Sequence, residues 1–333
     1  MYIEFVIFIL AVSLILYTLL GGADFGAGII ELFIGDKSNS TVSKAIAPVW
    51  EANHMWLVIA VVILFNGFPK AYTVLSTHLH IPVLLFLVAL IFRGAAFTFR
   101  HYDAYHDYSE HYYTNIFRYS SILSVFFLGV IISAFFGGTI PSSAESSFVE
   151  YYIAPWFNAF SISVGIFMIV LSAYIGSIFM LGEVKSEEGY DQLKRFVRRL
   201  FVAAVLSGIA IFAVSFLKNL VFHEMFLDHP MSIACIAIAS LLVPFVFRLI
   251  NDRSIWTLRV LTGAQIVLIL LGWFFIQWPN FVVYGDGSTL SIYEASAPTI
   301  TMKILFIALA VGVVIIFPGL YYLFKIFKTK KAN

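Results

Sequence analysis

Charge and cysteine are both scarce in this chain. Only 12% of its 333 residues are charged, against about 25% in a soluble globular domain. Hydrophobic residues make up 61% and aromatics 17%, and the mean hydropathy is +0.94. Too little polar surface remains to cover a soluble particle, so the chain reads as an integral membrane protein. A single cysteine, Cys235, excludes an intramolecular disulfide and with it a secreted disulfide scaffold. A net charge of +1, with the basic residues in short loops, argues against a nucleic-acid binder. The apolar runs are long and continuous, not the ten-residue alternations of a porin-type barrel. Long polar segments are missing too. The longest, His101–Arg118, Gly138–Pro155, Glu183–Arg199 and Asn280–Lys303, are too short for a soluble domain.

What is present is a series of apolar stretches of the roughly 17 to 25 residues that a bilayer-spanning helix needs. Nine are read, with cores at Ile3–Leu20, Pro48–Phe65, Ile81–Phe99, Tyr119–Phe136, Phe157–Leu181, Val197–Leu217, Met231–Ile250, Trp256–Ile276 and Ile304–Phe327. The first has no basic leader and continues toward Phe33, so it is expected to be a span and not a cleaved signal peptide. The expected fold is all-α: two four-helix bundles, over residues 1–140 and 150–280, then a peripheral helix over 300–327, all in one polytopic membrane unit. Alternating the sides places every Lys and Arg except Lys70, Lys218 and Lys303 on one side. The positive-inside bias then puts the N-terminus outside and the C-terminus in the cytoplasm.

Ionisable groups within spans are costly and mark pathways or buried pairs. Asp24 lies in the glycine-rich segment Gly21–Gly28, with Glu31 seven residues further on the same helical face. Small residues there let neighbouring helices approach closely. Pro48–Trp56 opens the second span, where Glu51 and His54 are three apart and share a face; Trp50 and Trp56 suit interface anchors. Arg93 and Arg100, seven apart, close the third span. Arg100 suits an anchor snorkelling to the headgroups, whereas the deeper Arg93 calls for a buried carboxylate. All five of Asp24, Glu51, His54, Arg93 and Arg100 are expected at one depth. They suit either a set of structural ion pairs or a proton-holding cluster open to one side. The polar residues of the fifth span, Asn158, Ser161, Ser163, Ser172 and Ser177, read as helix–helix glue.

Of eight histidines only His54 falls clearly inside a span, so no two helices present the facing histidines of a transmembrane b-type haem. No CxxC, HExxH or phosphate-loop motif occurs.

Four segments resemble subunit II of the cytochrome bd-type quinol oxidases: Gly22–Gly28, Ala47–Trp56, Phe92–Arg100, and Phe317-Pro318 followed by Tyr321-Tyr322. The resemblance implies a haem-free subunit in the bacterial cytoplasmic (inner) membrane. Its partner would be a haem-bearing subunit I with two b-type haems and one d-type haem, in a heterodimer that oxidises quinol and reduces dioxygen to water. A small accessory membrane subunit can belong to such a complex, and a structural quinone or lipid can lie in subunit II. The family's proton-route acids correspond to Asp24 and Glu51, with His54 as a third member and with Trp50, Asn53, Trp56, Arg93 and Arg100 as supporting charges and packing. One departure stands out. The family pattern implies an acid where this chain has Thr98, so a partner for Arg93 or Arg100 is expected to be missing. The alternative is a proton-coupled transporter using Asp24 and Glu51 as coupling acids, but no Gly/Pro break occurs at matching mid-span positions in the two halves.

Overall fold

The computed structural model describes residues 2–34, 50–102, 109–142, 147–184 and 186–329. The first apolar run folds as α1 (Tyr2–Leu16), a π turn (Tyr17–Gly21) and α2 (Gly22–Ile34), continuous enough to count as one span from Tyr2 to Phe33. The π turn widens the helix by one residue, so a backbone carbonyl loses its regular partner. Asn53 Nδ2 donates to Leu20 O at 3.3 Å, bracing the turn from the next helix.

That next helix, α3 (Trp50–Gly67), ends at Gly67. Pro69 then starts α4 (Pro69–His78) at a position where a missing N–H costs nothing, and the chain bends by 111°. There follow α5 (His80–Tyr102), α6 (Ser109–Phe136), the short α7 (Phe148–Tyr152) and α8 (Ala159–Leu181). Next come α9 (Glu187–Leu217), α10 (Val221–Leu227), α11 (Pro230–Leu241), α12 (Val243–Asn251) and α13 (Ile255–Gln277). A hairpin of β1 (Asn280–Val283) and β2 (Thr289–Ser291), then α14 (Ile292–Ala295) and α15 (Thr299–Thr329), complete the chain. Among the described residues eight helices are long and apolar enough to cross a membrane, and the bent pair of α3 and α4 brings the number to nine if it is one span. The protein is an all-α membrane protein.

Some starts are set by side chains that satisfy free N–H groups. Asn158 accepts from Ser161 N at the start of α8, and Ser186 from Gly189 N at the start of α9. Several helices begin before their apolar runs. The spans expected at Tyr119, Val197 and Ile304 start at Ser109, Glu187 and Thr299.

The centre of the molecule is the crossing of α2 with α8. A Cβ on Gly26 would lie 1.9 Å from Ser172 O, and one on Gly176 would lie 2.5 Å from Gly26 C. The two backbones therefore touch, and any larger side chain would part them. Two serines of α8 bond their own helix, Ser163 donating to Phe160 O and Ser177 to Ala173 O.

At the end away from Asp24 the connections form a cap. In the hairpin Val282 pairs with Leu290 and Val283 with Thr289. Gly285 N donates to Ile140 O (2.9 Å), Ala297 N to Gly67 O (2.8 Å) and Thr139 Oγ1 to Pro155 O (2.8 Å). His78 donates from Nδ1 to Tyr151 O at 3.2 Å.

Candidate functional site

Asp24 sits in the first turn of α2, immediately after the π turn, and is 3% exposed. Arg93, from the middle of α5, is buried beside it. Arg93 Nη2 lies 2.7 Å from Asp24 Oδ1 and 3.2 Å from the Asp24 carbonyl oxygen. Its Nε donates to Ser121 Oγ at 3.0 Å, and the Ser121 hydroxyl in turn donates to Phe117 O at 2.7 Å. The guanidinium lies over the rings of Phe25 and Phe117, at 4.7 and 4.9 Å. Charge, hydrogen bonds and ring faces together offset the loss of water around both ions.

Two turns further along α2, Glu31 is fully buried. Arg100 Nη1 is 2.7 Å from Glu31 Oε2, and Arg118 Nε from α6 is 3.6 Å from the same oxygen. Arg100 also lies over the Phe117 ring, 4.5 Å from its centre.

The charges expected at one depth thus form two tiers. Asp24 and Arg93 make the inner tier; Arg100 belongs to the outer one with Glu31. The partner expected to be missing is present: Glu31, on α2, takes Arg100. Thr98 is exposed and bonds its own helix at Gly94 O, so an acid there would face away from the cluster. The sequence places Arg118 in a polar connection, because the apolar run starts at Tyr119. In the structure it is helical and 6% exposed. Its place one turn from both Thr114 and Ser121 was the available signal of a polar buried face on α6.

His54 packs with its ring 6.0 Å from both Tyr17 and Phe25, next to the inner tier. Asn53 is buried and holds the π turn. Trp56 is 9% exposed and packs in the core with Val74 and Phe86, so it is not an interface anchor. Trp50 and Glu51 open α3, but their side chains lie outside the described residues.

A second feature lies alongside α1. A pocket of ≈ 410 Å³ is lined by Ile7, Leu10, Leu64, Phe86, Phe135 and Gln277 among others, almost all apolar. Among the described residues no three His, Cys, Asp or Glu side chains converge on a metal position.

A subunit 2 of cytochrome bd ubiquinol oxidase from Bacillus subtilis (strain 168) is 24% identical over 309 residues, covering 90% of this chain and 88% of that protein. The cytochrome bd-I ubiquinol oxidase subunit 2 of Escherichia coli (strain K12) is 24% identical over 180 residues, 52% of this chain and 46% of that protein. The fold superposes on a chain of the bd oxidase from Geobacillus thermodenitrificans with a TM-score of 0.78 at 19% identity, covering 98% of each chain. The sequence also matches the cytochrome bd terminal oxidase subunit II family over residues 2–327, so the chain belongs to that family.

Proposed function

We propose that this chain is the haem-free subunit of a quinol:oxygen oxidoreductase in a bacterial cytoplasmic membrane, and that it carries protons inward from the cytoplasm. Haem-bearing subunit I would supply the quinol site and the chemistry of dioxygen reduction, through two b-type haems and one d-type haem. The histidine geometry supports a haem-free role, since His54 is enclosed by Tyr17 and Phe25 while His78 is engaged with Tyr151 at the opposite end. An accessory small subunit fits the exposed apolar faces of the outer helices, and a structural quinone or lipid chain fits the ≈ 410 Å³ apolar pocket.

The single observation that carries the proton reading is Asp24. Its Oδ1 is held by Arg93, and its Oδ2 has no protein partner among the described residues. A carboxylate so placed has one oxygen fixed and one available to take and release a proton. Asp24, Glu51 and His54 then act as successive relay sites, with Arg93 and Arg100 setting proton affinity. Family membership over residues 2–327 disfavours the transporter alternative.

The test purifies the tagged chain from its native membrane. A second multi-span protein with haem absorbance should accompany it, and the separated chain should be colourless. Asp24→Asn should slow quinol-driven oxygen uptake by roughly ten-fold, equivalent to about 1.4 kcal/mol, with the haem spectrum unchanged. Parental turnover in a fully assembled Asp24→Asn complex would remove the relay.

A further inference from the structure

The chain has nine arginines, and six of them are ion-paired. Asp24 holds Arg93, Glu31 holds Arg100 and Arg118, Asp252 holds Arg248, Glu187 holds Arg253 and Glu183 holds Arg259. The other three, Arg195, Arg198 and Arg199, fall together with Lys194 on one stretch of α9. Among the described residues none of these four makes an ion pair, a side-chain hydrogen bond or a ring contact. The three arginines are exposed and Lys194 is half-buried.

Their spacing gathers them on one face. At 100° per residue the four lie within about 140° of the helix circumference, while Tyr190, Leu193 and Val197 on the other side are buried. The acids of the helix, Glu187, Glu188 and Asp191, stand in its first two turns, where the helix dipole favours them. Glu187 is taken by Arg253, and no ion pair joins Asp191 to the basic turn among the described residues. The same arc then runs on along the apolar part of α9. Val202, Val205, Leu206 and Ile209 continue it, at 55%, 45%, 61% and 59% exposed. Arg199 and Val202 are only about 4.5 Å apart along the axis. A face that is cationic and then at once apolar matches a ligand built the same way, an anionic phosphate head joined to hydrocarbon chains. A free phosphate would use only the first part, and an acidic protein segment would leave the second part to lipid.

We propose that this face of α9 binds an anionic phospholipid. Arg195, Arg198, Arg199 and Lys194 hold the phosphate diester, and the acyl chains lie along Val202, Val205, Leu206 and Ile209. Guanidiniums offer paired N–H donors to phosphate oxygens, and their apolar stems can lie along the helix surface while the heads reach the headgroup level. No carboxylate has to be displaced first. Each cation beside an anionic headgroup strengthens association by about five-fold, so four on one face make a site and not merely a sign preference.

The test reconstitutes the intact complex in phosphatidylcholine nanodiscs. A minor fraction of the lipid, either phosphatidylglycerol or phosphatidylcholine, carries a photoreactive group high on one acyl chain, and cross-links are mapped by mass spectrometry. Phosphatidylglycerol should label Val202–Ile209 at least about five-fold more than phosphatidylcholine does, the effect of a single cation. Trp256 and Val260 are the internal control, 68% and 56% exposed but beside the paired Arg253 and Arg259. They should show no such preference. Arg198→Gln with Arg199→Gln should lower the ratio at Val202–Ile209 by about five-fold or more, and Arg198→Lys with Arg199→Lys should keep most of it. The comparison of the two lipids on the parental complex decides the matter even where a variant fails to assemble. Equal labelling by the two lipids overturns the site and leaves the cations to an acidic partner segment. An equal preference at Val260 also overturns it, because leaflet charge alone would then suffice. Inorganic phosphate in excess, at matched ionic strength, should leave the labelling in place; its loss would assign the basic turn to a free anion and overturn the lipid site.

Discussion

Arg100 and Glu31 are joined at 2.7 Å inside the helix packing, with neither side chain more than 2% exposed. Arg93 and Asp24 repeat that relationship two turns away, also at 2.7 Å. The two acids are seven residues apart on α2 and the two bases seven apart on α5, so the long arginine side chains reach α2 in register, although the helices packed directly on α2 are α6 and α8. The ring of Phe117 stands within 5 Å of both guanidiniums, at 4.9 and 4.5 Å. The pairs therefore do structural work whatever else they do, and this sets the controls for any functional test.

Arg93→Ala strands Asp24 as an unpaired buried charge. Breaking a buried pair in this way costs about 3–5 kcal/mol, whereas replacing both partners by apolar groups is often neutral. Arg93→Ala should lower the Tm and yield of the assembled complex, and Arg93→Met combined with Asp24→Leu should restore both while leaving turnover impaired. A double variant as unstable as the single one would show that the pair is not what the single change disrupts.

Glu51→Gln keeps size and hydrogen bonding and removes only the titrating proton. Oxygen uptake driven by quinol should fall by roughly ten-fold, about 1.4 kcal/mol in barrier, at an unaltered haem spectrum. Equal rates in the variant and the parent would take Glu51 out of the relay.

Orientation follows from the distribution of Lys and Arg. With Cys235 replaced by serine, single cysteines at the exposed positions Thr289 and Glu188 report the two sides. A membrane-impermeant thiol reagent applied to intact cells should label the first and spare the second. The reverse pattern would move proton entry to the other face.

The hairpin carries its own acid sensitivity. Hydrogen bonds from Ser288 and Ser142 hold the Asp286 carboxyl down at about 2, from an ordinary value of 3.8. Because the folded value is the lower one, this stabilisation is complete above the unfolded value and is lost as pH falls through that window. Asp286→Asn should therefore be cut faster than the parent by pepsin within Phe281–Leu290 at the upper edge of the window, and the difference should vanish at its lower edge.

Much of the fold was legible because lipid imposes it: every backbone group must bond within its own helix, so long apolar runs declare the spans. Buried charge declares itself by its cost, which is how Asp24 and Arg93 stand out. Partner choice is another matter. It depends on how helices dock, and the matching seven-residue intervals on α2 and α5 name a pairing only once α5 is known to send its arginines toward α2. Arg118 hid for a related reason, since hydropathy ends a span where polar residues begin even when they remain buried in the protein. The hairpin was missed although Asp286-Gly287 is a turn signal; its strands are too short to show an alternation.

The π turn has a consequence for how this subunit tolerates change. Above it, α1 packs with α3 and α15; below it, α2 packs with α6 and α8. One rod thus serves two sets of neighbours, and the extra residue sets the phase between its halves. Removing any one residue of Tyr17–Gly21 would rotate everything beyond by about 100°, turning Asp24 and Glu31 off their arginines together. Substitution within the segment changes a contact, whereas deletion de-phases the whole charged face, so natural variation here should alter letters and preserve length.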